Sequence, residues 1–486
     1  MKNKSIYLSS VFKLMDENCG VPTDKLMENA AEALYGVLKL ENRLDSGIFI
    51  VCGKGNNGGD GYALACLLKK RGHRVSLYAA QSPSSPLAVK YCMEYEGMGG
   101  VAAPVFETFL DGCETVVDCM FGFSFSGTLK GEYERLCLLI NESGKYVLAA
   151  DLPSGLWADT EKAPPLCIRA DATCTFTAHK YATACMPAKA YCGKVYIADI
   201  GIPEAVLLSA PASGDTDGEE LLKLLPKRSE DSHKGSYGPL AALCGNDDMY
   251  GAAYLACSAA YRTGTGLVRL YSSDRCKEAV KVMLPEVIGG TADSLEVVLD
   301  RKPKALLLGC GCGRTHDTLI TELLKRTEAP TVLDADGINC IAGRIDLYRS
   351  VKAPMIITPH PAEMARLVGK TVAEVNAERI KTATEFASTY GFITVLKGNT
   401  TVVASPDGGL YVNQSGNNGL AKGGSGDVLA GIIASLLAQG VQPFDAARLG
   451  VYLHGRAADA LVKEKGVYAV MPSELGEQAG KIMYFG

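Results

Sequence analysis

The 486-residue sequence has no long segment of one charge and little net charge. Its 54 acidic and 49 basic residues leave a net charge of −5, so neither nucleic acid nor an anionic membrane surface is expected as a partner. The longest apolar run, VLAGIIASLLA at 428–438, is far short of the roughly 20 residues of a membrane-spanning helix. The first twenty residues lack the apolar stretch and cleavage site of a secretory signal, which predicts a cytoplasmic protein.

A disulfide framework is also missing, although the chain has 17 cysteines. They are scattered through strand-like and helix-like segments, which predicts reduced and mostly buried thiols. Cys310 and Cys312 form the closest pair. Because no second Cys or His pair accompanies them, no metal site is expected there.

Short apolar segments alternate with helical patterns along most of the chain. This alternation predicts an α/β protein in which helices cover both faces of a mainly parallel sheet. A length of 486 residues suggests two or three domains, and the small, polar, acidic segment SAPASGDTDGEE at 209–220 is typical of a linker. We therefore predict two α/β domains, residues 1–210 and 220–486.

The stretch CGKGNNGGDG at 52–61 follows a predicted strand and has the glycine spacing of a dinucleotide-binding loop. The next predicted strand, at 74–79, has no acidic residue at its end to hold a ribose hydroxyl, so that interpretation lacks its second element. Asn56, Asn57 and Asp60 offer amide donors and oxygen acceptors instead. These groups suit a cation, a hydroxylated ligand or both.

Two further predicted strands end in a carboxylate. Asp118 ends TVVD, and Asp151 ends KYVLAAD just before a turn that contains Ser154. Ligands bind at the carboxyl ends of parallel strands, so we expect these residues to converge on the loop at 52–61. Taken singly, either aspartate could instead only cap a turn.

Five segments in the first half resemble the NAD(P)H-hydrate epimerase domain, namely LMENAA, GKGNNGGDG, DCMFGFSFSG, DLPSGLWADT and ADATCTFTAHK. The resemblance implies a Rossmann-like doubly wound sheet that interconverts the R and S forms of hydrated NADH and NADPH (NADHX and NADPHX). It also implies a potassium ion held by Asn57, Asp118 and Ser154, with Asp151 as an acid/base candidate. The implied substrate-binding residues are Asn56, Asn57, Gly58, Gly59, Asp60, Gly122, Phe123, Ser124, Phe125, Ser126, Gly127, Thr128 and Asp151.

The strongest signal in the second half is NQSGNNGLAKGGSGD at 413–427, directly before an apolar helix predicted to begin at Asp427. Unpaired backbone N–H groups of 423–427 would form an anion hole suited to a transferring phosphate. Asp427 stands beside them, in position to take a proton from an attacking hydroxyl. A flexible loop is the alternative, and the density of glycines argues against it.

Two other strand ends in this half leave their roles open. Asp334 and Asp336 fit either a metal–phosphate cluster or turn capping, and His360 begins a predicted helix as a solvated residue or as a ligand contact.

The loop GGSGD before a helix resembles the ribokinase-like fold. Together with HKGSYG, YGAAYLA, LGCGCG, LDADGIN, TPHPAEMARL and LKGNTT it resembles the nucleotide-dependent NAD(P)H-hydrate dehydratase. The resemblance implies that ADP or ATP, with a magnesium ion, phosphorylates the hydroxyl of the S hydrate, and that phosphate elimination restores NADH or NADPH. Ala252, Gly311, His360 and Asp427 are implied to face the hydrated dinucleotide, with Asp427 as the base. Lys397, Gly398, Asn399, Thr400, Thr401 and Gly426 are implied to face the adenine nucleotide.

Together the two halves predict a bifunctional NAD(P)H-hydrate repair enzyme, and resemblance to ribokinase-like proteins implies a homo-oligomer. The sequence leaves two alternatives. One is a ribokinase-type kinase that phosphorylates a vitamin or sugar and leaves the phosphate on its product. The other is a first domain that only senses a ligand or binds a partner.

Overall fold

In a computed structural model the chain forms two compact units, Met1–Asp215 and Thr216–Gly486. The residues described are 4–291, 294–349 and 351–485. Each unit is an α/β structure with a mainly parallel sheet, which confirms the predicted fold class. Among the described residues, no helix is both long and apolar enough to span a membrane.

The first unit consists of eight strands and eight α-helices within its described residues. The strands are β1 Ser5–Ile6, β2 Ile48–Cys52, β3 Val75–Ala79, β4 Thr115–Cys119, β5 Tyr146–Ala150, β6 Ala172–Phe176, β7 Lys194–Ala198 and β8 Gly214–Asp215. The helices are α1 Ser9–Asn18, α2 Thr23–Leu40, α3 Asn56–Lys70, α4 Pro86–Gly97, α5 Phe106–Asp111, α6 Glu132–Glu142, α7 Tyr181–Ala184 and α8 Glu204–Ser209, with a 3₁₀ turn at Ala188–Tyr191.

Strands β2 to β7 form a parallel sheet in the order β3-β2-β4-β5-β6-β7, and β1 pairs with β8 in a short antiparallel ladder. The central strands β2 and β4 are buried along their whole length, as expected for a parallel sheet covered on both faces. The chain turns to one side of β2 to form β3 and to the other to form β4. The crevice at this reversal is where doubly wound sheets bind ligands.

The second unit has nine strands and eleven α-helices within its described residues. The strands are β9 Leu240–Leu243, β10 Val268–Tyr271, β11 Ile288–Gly290, β12 Ala305–Leu308, β13 Thr331–Leu333, β14 Met355–Ile357, β15 Ile393–Leu396, β16 Val402–Ala404 and β17 Leu410–Val412. The helices are α9 Tyr250–Arg262, α10 Asp274–Met283, α11 Leu295–Leu299, α12 Asp317–Arg326, α13 Asp336–Ile341, α14 Pro361–Val368, α15 Val372–Ala377, α16 Arg379–Tyr390, α17 Ser425–Ala438, α18 Pro443–Lys465 and α19 Pro472–Phe485. Shorter 3₁₀ turns lie at Glu220–Leu224, Ile345–Tyr348, Asn418–Leu420 and Val467–Ala469.

The sheet of this unit runs β17-β16-β15-β14-β13-β12-β9-β10-β11. Strands β9 to β15 are parallel, and β16 and β17 continue the sheet antiparallel. Helix α17 is apolar on every side because it is covered by α9, α18, α19 and the sheet. It therefore holds its N-terminus rigidly at the carboxyl ends of the parallel strands.

Three helix starts differ from the sequence predictions. Residues 9–18 form α1, for which the apolar pattern predicts no element. Helix α3 begins at Asn56, so residues 56–61 of the predicted glycine-rich loop form the first turns of this helix. Helix α17 begins at Ser425, and the prediction of Asp427 as its first residue is wrong. Positive φ at Gly424 allows the chain to enter the helix two residues earlier.

All 17 cysteines are free thiols, and all but Cys92 are buried. The prediction of reduced, mostly buried thiols is confirmed.

Two candidate active sites

A cavity of about 590 Å³ opens in the first unit at the carboxyl ends of β2, β4 and β5. Its position is the crevice expected of a doubly wound sheet. The predicted residues that line it are Asn56, Asn57, Asp60, Gly122, Phe123, Ser124, Phe125, Ser126 and Asp151. The predicted residues Gly58, Gly59, Gly127 and Thr128 are not among its walls.

The glycines of the β2–α3 turn permit a close backbone approach. A Cβ atom on Gly58 would overlap the carbonyl oxygen of Gly53, and one on Gly53 would overlap that of Met120. The tight turn starts α3 at once and places Asn56 and Asn57 in its first turn, beside the cavity.

Asp151 is the best anchored acid of the cavity. Its backbone is left-handed (φ 66°), and its side chain is buried. Lys180 Nζ lies 2.6 Å from Oδ1, and the Phe123 N–H donates to Oδ2 at 2.8 Å. Lys180 also donates to Thr175 Oγ1 and to the Phe176 carbonyl. These donors stabilise the charge of a carboxylate that faces the cavity.

Asp118 and Ser154 form a second buried group, outside the cavity lining. The Ser154 hydroxyl donates to Asp118 Oδ1 at 2.6 Å, and the Ser154 N–H donates to Oδ2 at 2.7 Å. Burial raises the pKa of Asp118 to about 6, against these hydrogen bonds. No cationic side chain of the described residues lies within ion-pair distance of Asp118. The carboxylate therefore has hydrogen bonds but no countercharge.

Asn57 lies in the cavity wall beside Gly122 and Asp151. Gly122 fits between Asn57 and Asp151, because a Cβ atom there would lie 3.2 Å from Asn57 Oδ1 and 3.0 Å from Asp151 Oδ2. The buried Asn57 Nδ2 has no hydrogen-bond partner in the described structure. The structure thus brings Asn57 and Asp151 to opposite sides of one glycine.

Two acids share the electrostatic environment of Asp151, and one of them, Asp16, was not predicted from the sequence. Asp16, on α1, lines the cavity, and burial and the charge of Asp151 raise its pKa to about 6. Burial, followed by the charges of Asp151 and Asp16, raises the pKa of Asp60 well above its usual range. Asp16 escaped notice because its helix contains no glycine motif and lies far from Asp151 in sequence.

The candidate site of the second unit is the N-terminus of α17. Gly424 has φ +95°, and Ser425, Gly426 and Asp427 form the first turn, whose N–H groups have no helical partner. The Ser425 hydroxyl contacts His454 Nε2 of α18 at 3.2 Å. His454 was missed by sequence reasoning, since only the packing of α18 on α17 brings it to this turn.

A buried polar cluster lies beside this helix start. Lys397 Nζ contacts Asp334 Oδ1 at 2.6 Å, and the Thr358 hydroxyl donates to the same oxygen at 2.6 Å. A Cβ atom on Gly426 would lie 3.3 Å from Lys397 Nζ. The ammonium group therefore borders the helix N-terminus.

Asp427 belongs to the same cluster. Its carboxyl oxygen, one of Asp334 and the Cys310 sulfur all lie within 4.8 Å of one another. Burial and the charge of Asp334 raise the pKa of Asp427 to about 7, while Lys397 and the Cys310 thiol act in the opposite direction. A carboxylate with this pKa can accept a proton near neutral pH.

Arg379 organises the segment Lys397–Thr401. This buried guanidinium donates to the carbonyls of Leu396, Lys397 and Thr400. Gly398 and Asn399 are exposed at the loop tip, whereas Thr400 is buried and its hydroxyl lacks a partner in the described structure.

The remaining predicted residues lie around the same sheet edge. Ala252 and Gly311 are adjacent, since a Cβ atom on Gly311 would lie 2.7 Å from Ala252 Cβ. His360 is the N-cap of α14, where its Nδ1 accepts from two backbone N–H groups and Glu363 accepts from its own N–H. The other ring nitrogen, Nε2, lies 3.3 Å from Glu363 Oε1, and the His360 side chain is about half exposed.

Both halves of the chain match known protein families. A family model described as NAD(P)H-hydrate dehydratase matches residues 240–481, and one described as YjeF-related protein N-terminus matches residues 23–182. The bifunctional NAD(P)H-hydrate repair enzyme Nnr of Moorella thermoacetica is 36% identical over 490 residues, covering 94% of this chain and 91% of that protein.

Two further relatives correspond to the second unit. The ADP-dependent (S)-NAD(P)H-hydrate dehydratase of Neisseria meningitidis is 47% identical over 249 residues, which are 50% of this chain and 83% of that protein. The crystal structure of the ADP/ATP-dependent NAD(P)H-hydrate dehydratase from Bacillus subtilis, co-crystallized with ATP/Mg²⁺, matches with a TM-score of 0.52 and 34% identity, covering 55% of this chain and 96% of that chain. The chain belongs to the family of bifunctional NAD(P)H-hydrate repair enzymes.

Proposed function

We propose that this protein repairs hydrated nicotinamide dinucleotides in two steps. The first unit interconverts the R and S forms of NADHX and NADPHX, and the second dehydrates the S form at the expense of ADP or ATP. The observation that carries the proposal is one chain holding an acid-lined cavity around Asp151 and a glycine-rich helix start with Asp427 and Lys397.

Dehydration begins at the hydroxyl of the hydrated ring. Asp427 accepts the hydroxyl proton while the oxygen takes the terminal phosphoryl group of ADP or ATP, which leaves AMP or ADP. Backbone N–H groups at the start of α17 and the Lys397 ammonium stabilise the transferring charge. Phosphate then leaves with the C–O electron pair, and loss of a proton from the neighbouring ring carbon restores the double bond.

Asp334 fits a supporting role in this step. Its bond to Lys397 and the hydroxyl of Thr358 fix the ammonium beside Gly426. A magnesium ion bound with the nucleotide phosphates would neutralise charge that develops on them. Asp334 and Asp336 supply the hard oxygen atoms that suit such an ion, and Asp336 already accepts the Gly313 N–H at 2.7 Å.

A potassium ion fits the region of Asn57, Asp118 and Ser154 in the first unit. The supporting observation is the buried Asp118 carboxylate, which has no countercharge. Oxygen atoms of these three side chains would hold the ion, which would supply a fixed positive charge next to the substrate loop. Exchange of KCl for tetramethylammonium chloride should then lower the melting temperature of the wild type but not of Asp118→Asn.

A coupled assay tests the function. Purified protein is incubated with a mixture of R and S NADHX and with ADP or ATP, each with Mg²⁺, and recovery of the reduced-nicotinamide absorbance is followed. We expect complete recovery from both forms with at least one of the nucleotides. Recovery of the S form alone would contradict the epimerase part, and no recovery with either nucleotide would contradict the dehydratase part.

Domain limits, location and assembly are further parts of the proposal. We assign epimerisation to about residues 1–210 and dehydration to 220–486. The buried free thiols suit the reducing cytoplasm, where NADH and NADPH act. A homo-oligomer is expected, and light scattering coupled to size-exclusion chromatography measures it directly.

A further inference from the structure

Helix α1 forms one wall of the cavity in the first unit. Phe12 and Asp16, four residues apart and therefore on one helix face, both line the cavity. The Phe12 ring lies 5.7 Å from the ring of Phe123, and Lys180 Nζ lies 4.3 Å from the Phe12 ring centre. The helix thus contacts both the substrate loop and the partner of Asp151.

The position of α1 is set by hydrogen bonds at its N-terminal side. The N–H and hydroxyl of Ser9 donate to Asp159 at 2.6 and 2.5 Å. The Tyr7 N–H donates to the His179 carbonyl, and the His179 N–H donates to the Ser5 carbonyl. Both N–O distances are 3.2 Å. His179 directly precedes Lys180. The wall and the Asp151–Lys180 pair are therefore parts of one hydrogen-bonded arrangement.

The charged groups around Asp16 favour a carboxyl that exchanges protons near neutral pH. Asp151 and Asp60 face it from β5 and α3, Lys180 faces it from the segment before α7, and Glu17 neighbours it on α1. Burial and the Asp151 charge raise the pKa of Asp16 to about 6, and Lys180 only partly offsets them. Asp151 contacts Lys180 Nζ at 2.6 Å and accepts the Phe123 N–H at 2.8 Å.

Epimerisation has a stereochemical requirement that a single fixed carboxylate does not meet. The hydroxyl must leave one face of the ring and return to the other. Asp151 is held at both oxygens, Oδ1 by Lys180 and Oδ2 by the Phe123 N–H, and therefore serves one face. A second proton-transfer group has to reach the ring from a different wall.

We propose that Asp16 is this second acid/base residue, which exchanges a proton at the ring face that Asp151 does not serve. The proposal rests on the epimerase function of the first unit. It assigns a catalytic role to α1, a helix outside the residues matched by the family model, 23–182.

The proposed step balances without an external reagent. The neutral Asp16 carboxyl gives its proton to the ring hydroxyl, the C–O bond breaks with its electron pair on oxygen, and water leaves. The lone pair of the ring nitrogen forms a C=N⁺ bond. Water then adds at the opposite face, the C=N⁺ pair returns to nitrogen, and Asp151 accepts the proton. Proton exchange with solvent water then returns Asp16 to its neutral form and Asp151 to its ionised form. The reverse epimerisation runs through the same groups with their roles exchanged.

The test compares Asp16→Asn with Glu17→Gln, a matched loss of a carboxylate from an exposed position of the same helix. Conversion of purified R NADHX to the S form is followed by chromatography between pH 5 and 9, without nucleotide. We expect Asp16→Asn to slow epimerisation about 100-fold. The change of rate with pH that the wild type shows near pH 6, which is the limb of its pH profile there, should be absent from this variant. Glu17→Gln should keep the wild-type rate and profile.

Melting curves of the same preparations distinguish chemistry from folding. Asp16→Asn should melt no lower than the wild type, because the amide removes a charge that burial disfavours. If the Asp16→Asn variant melts at a lower temperature than the wild type, Asp16→Glu is used in its place. That variant keeps a carboxyl group and should retain the limb of the pH profile near pH 6. A rate within threefold of wild type, an unchanged pH profile, or an equal loss in Glu17→Gln would overturn the proposal. A wild type that does not epimerise R NADHX would instead refute the proposed function.

Discussion

At the scale of the residue, the pKa of Asp427 lies near neutral pH because the carboxyl is buried and has the Asp334 carboxylate as a neighbour. Its raised pKa of about 7 means that the base form increases as the pH rises through 7. Dehydration of the S form should therefore accelerate from pH 6 to 8, measured with saturating ADP or ATP. Asp427→Asn should lower kcat about 1,000-fold, without loss of epimerisation. Asp407→Asn, at an exposed turn, should leave both rates unchanged.

Cys310 is one of the residues that lower the pKa of Asp427. Its single thiol proton is shared between Asp334 Oδ2, at 3.7 Å, and Asp427, and this contact lowers the pKa of the Asp427 carboxyl. Cys310→Ala should shift the pH profile of dehydration upward by about half a unit, the size expected for one weak hydrogen bond. Cys312→Ala is the matched control, since that thiol donates to the Leu243 carbonyl. Equal profiles for both variants would contradict the role of Cys310.

At the scale of the element, the β2–α3 turn depends on a close backbone approach at Gly58. A Cβ atom on Gly58 would overlap the carbonyl oxygen of Gly53, whereas one on Gly55 meets no atom within 4 Å. Gly58→Ala should lower the free energy of unfolding of the first unit by about 3 kcal/mol, and Gly55→Ala by about 1 kcal/mol or less. Urea unfolding followed by circular dichroism measures both. Similar values for the two variants would contradict the close approach.

The start of α17 offers a second matched pair of glycines. A Cβ atom on Gly426 would press on Lys397 Nζ at 3.3 Å, and Asp334 limits the movement of that ammonium. Gly423 has free space around it. Gly426→Ala should raise KM for the nucleotide about tenfold, equivalent to one displaced charged contact, while Gly423→Ala stays near the wild type. A normal KM in Gly426→Ala would show that Lys397 does not contact the nucleotide.

At the scale of the whole molecule, each of the two units has a candidate site of its own. The Neisseria meningitidis relative corresponds to the second unit alone. Residues 216–486, produced separately, should therefore dehydrate S NADHX and leave R NADHX unconverted. Addition of residues 1–215 should restore use of the R form, followed by reduced-nicotinamide absorbance. Conversion of R NADHX by residues 216–486 alone, at a rate above spontaneous epimerisation, would contradict this division of labour.

Much of the architecture is local in origin and could be predicted from sequence. Runs such as IFIVC and TVVDC are apolar throughout, and a strand covered on both faces requires this composition. The loop before α17 could also be recognised, because glycine density and a following apolar helix are features of one continuous segment. Helix bounds were less accurate: α17 begins at Ser425 rather than Asp427, since positive φ at Gly424 extends the helix backward.

The sequence by itself determined the two α/β halves, the substrate-loop motifs and the candidate base Asp427, because each is written in contiguous residues. Only the tertiary structure decided which groups share a cavity or a charge. Asp16 meets Asp151 because α1 is held against the segment before Lys180, and His454 meets Ser425 because α18 packs on α17. The pKa values of Asp16 and His454 depend on burial and on charges from distant segments, which no local pattern contains.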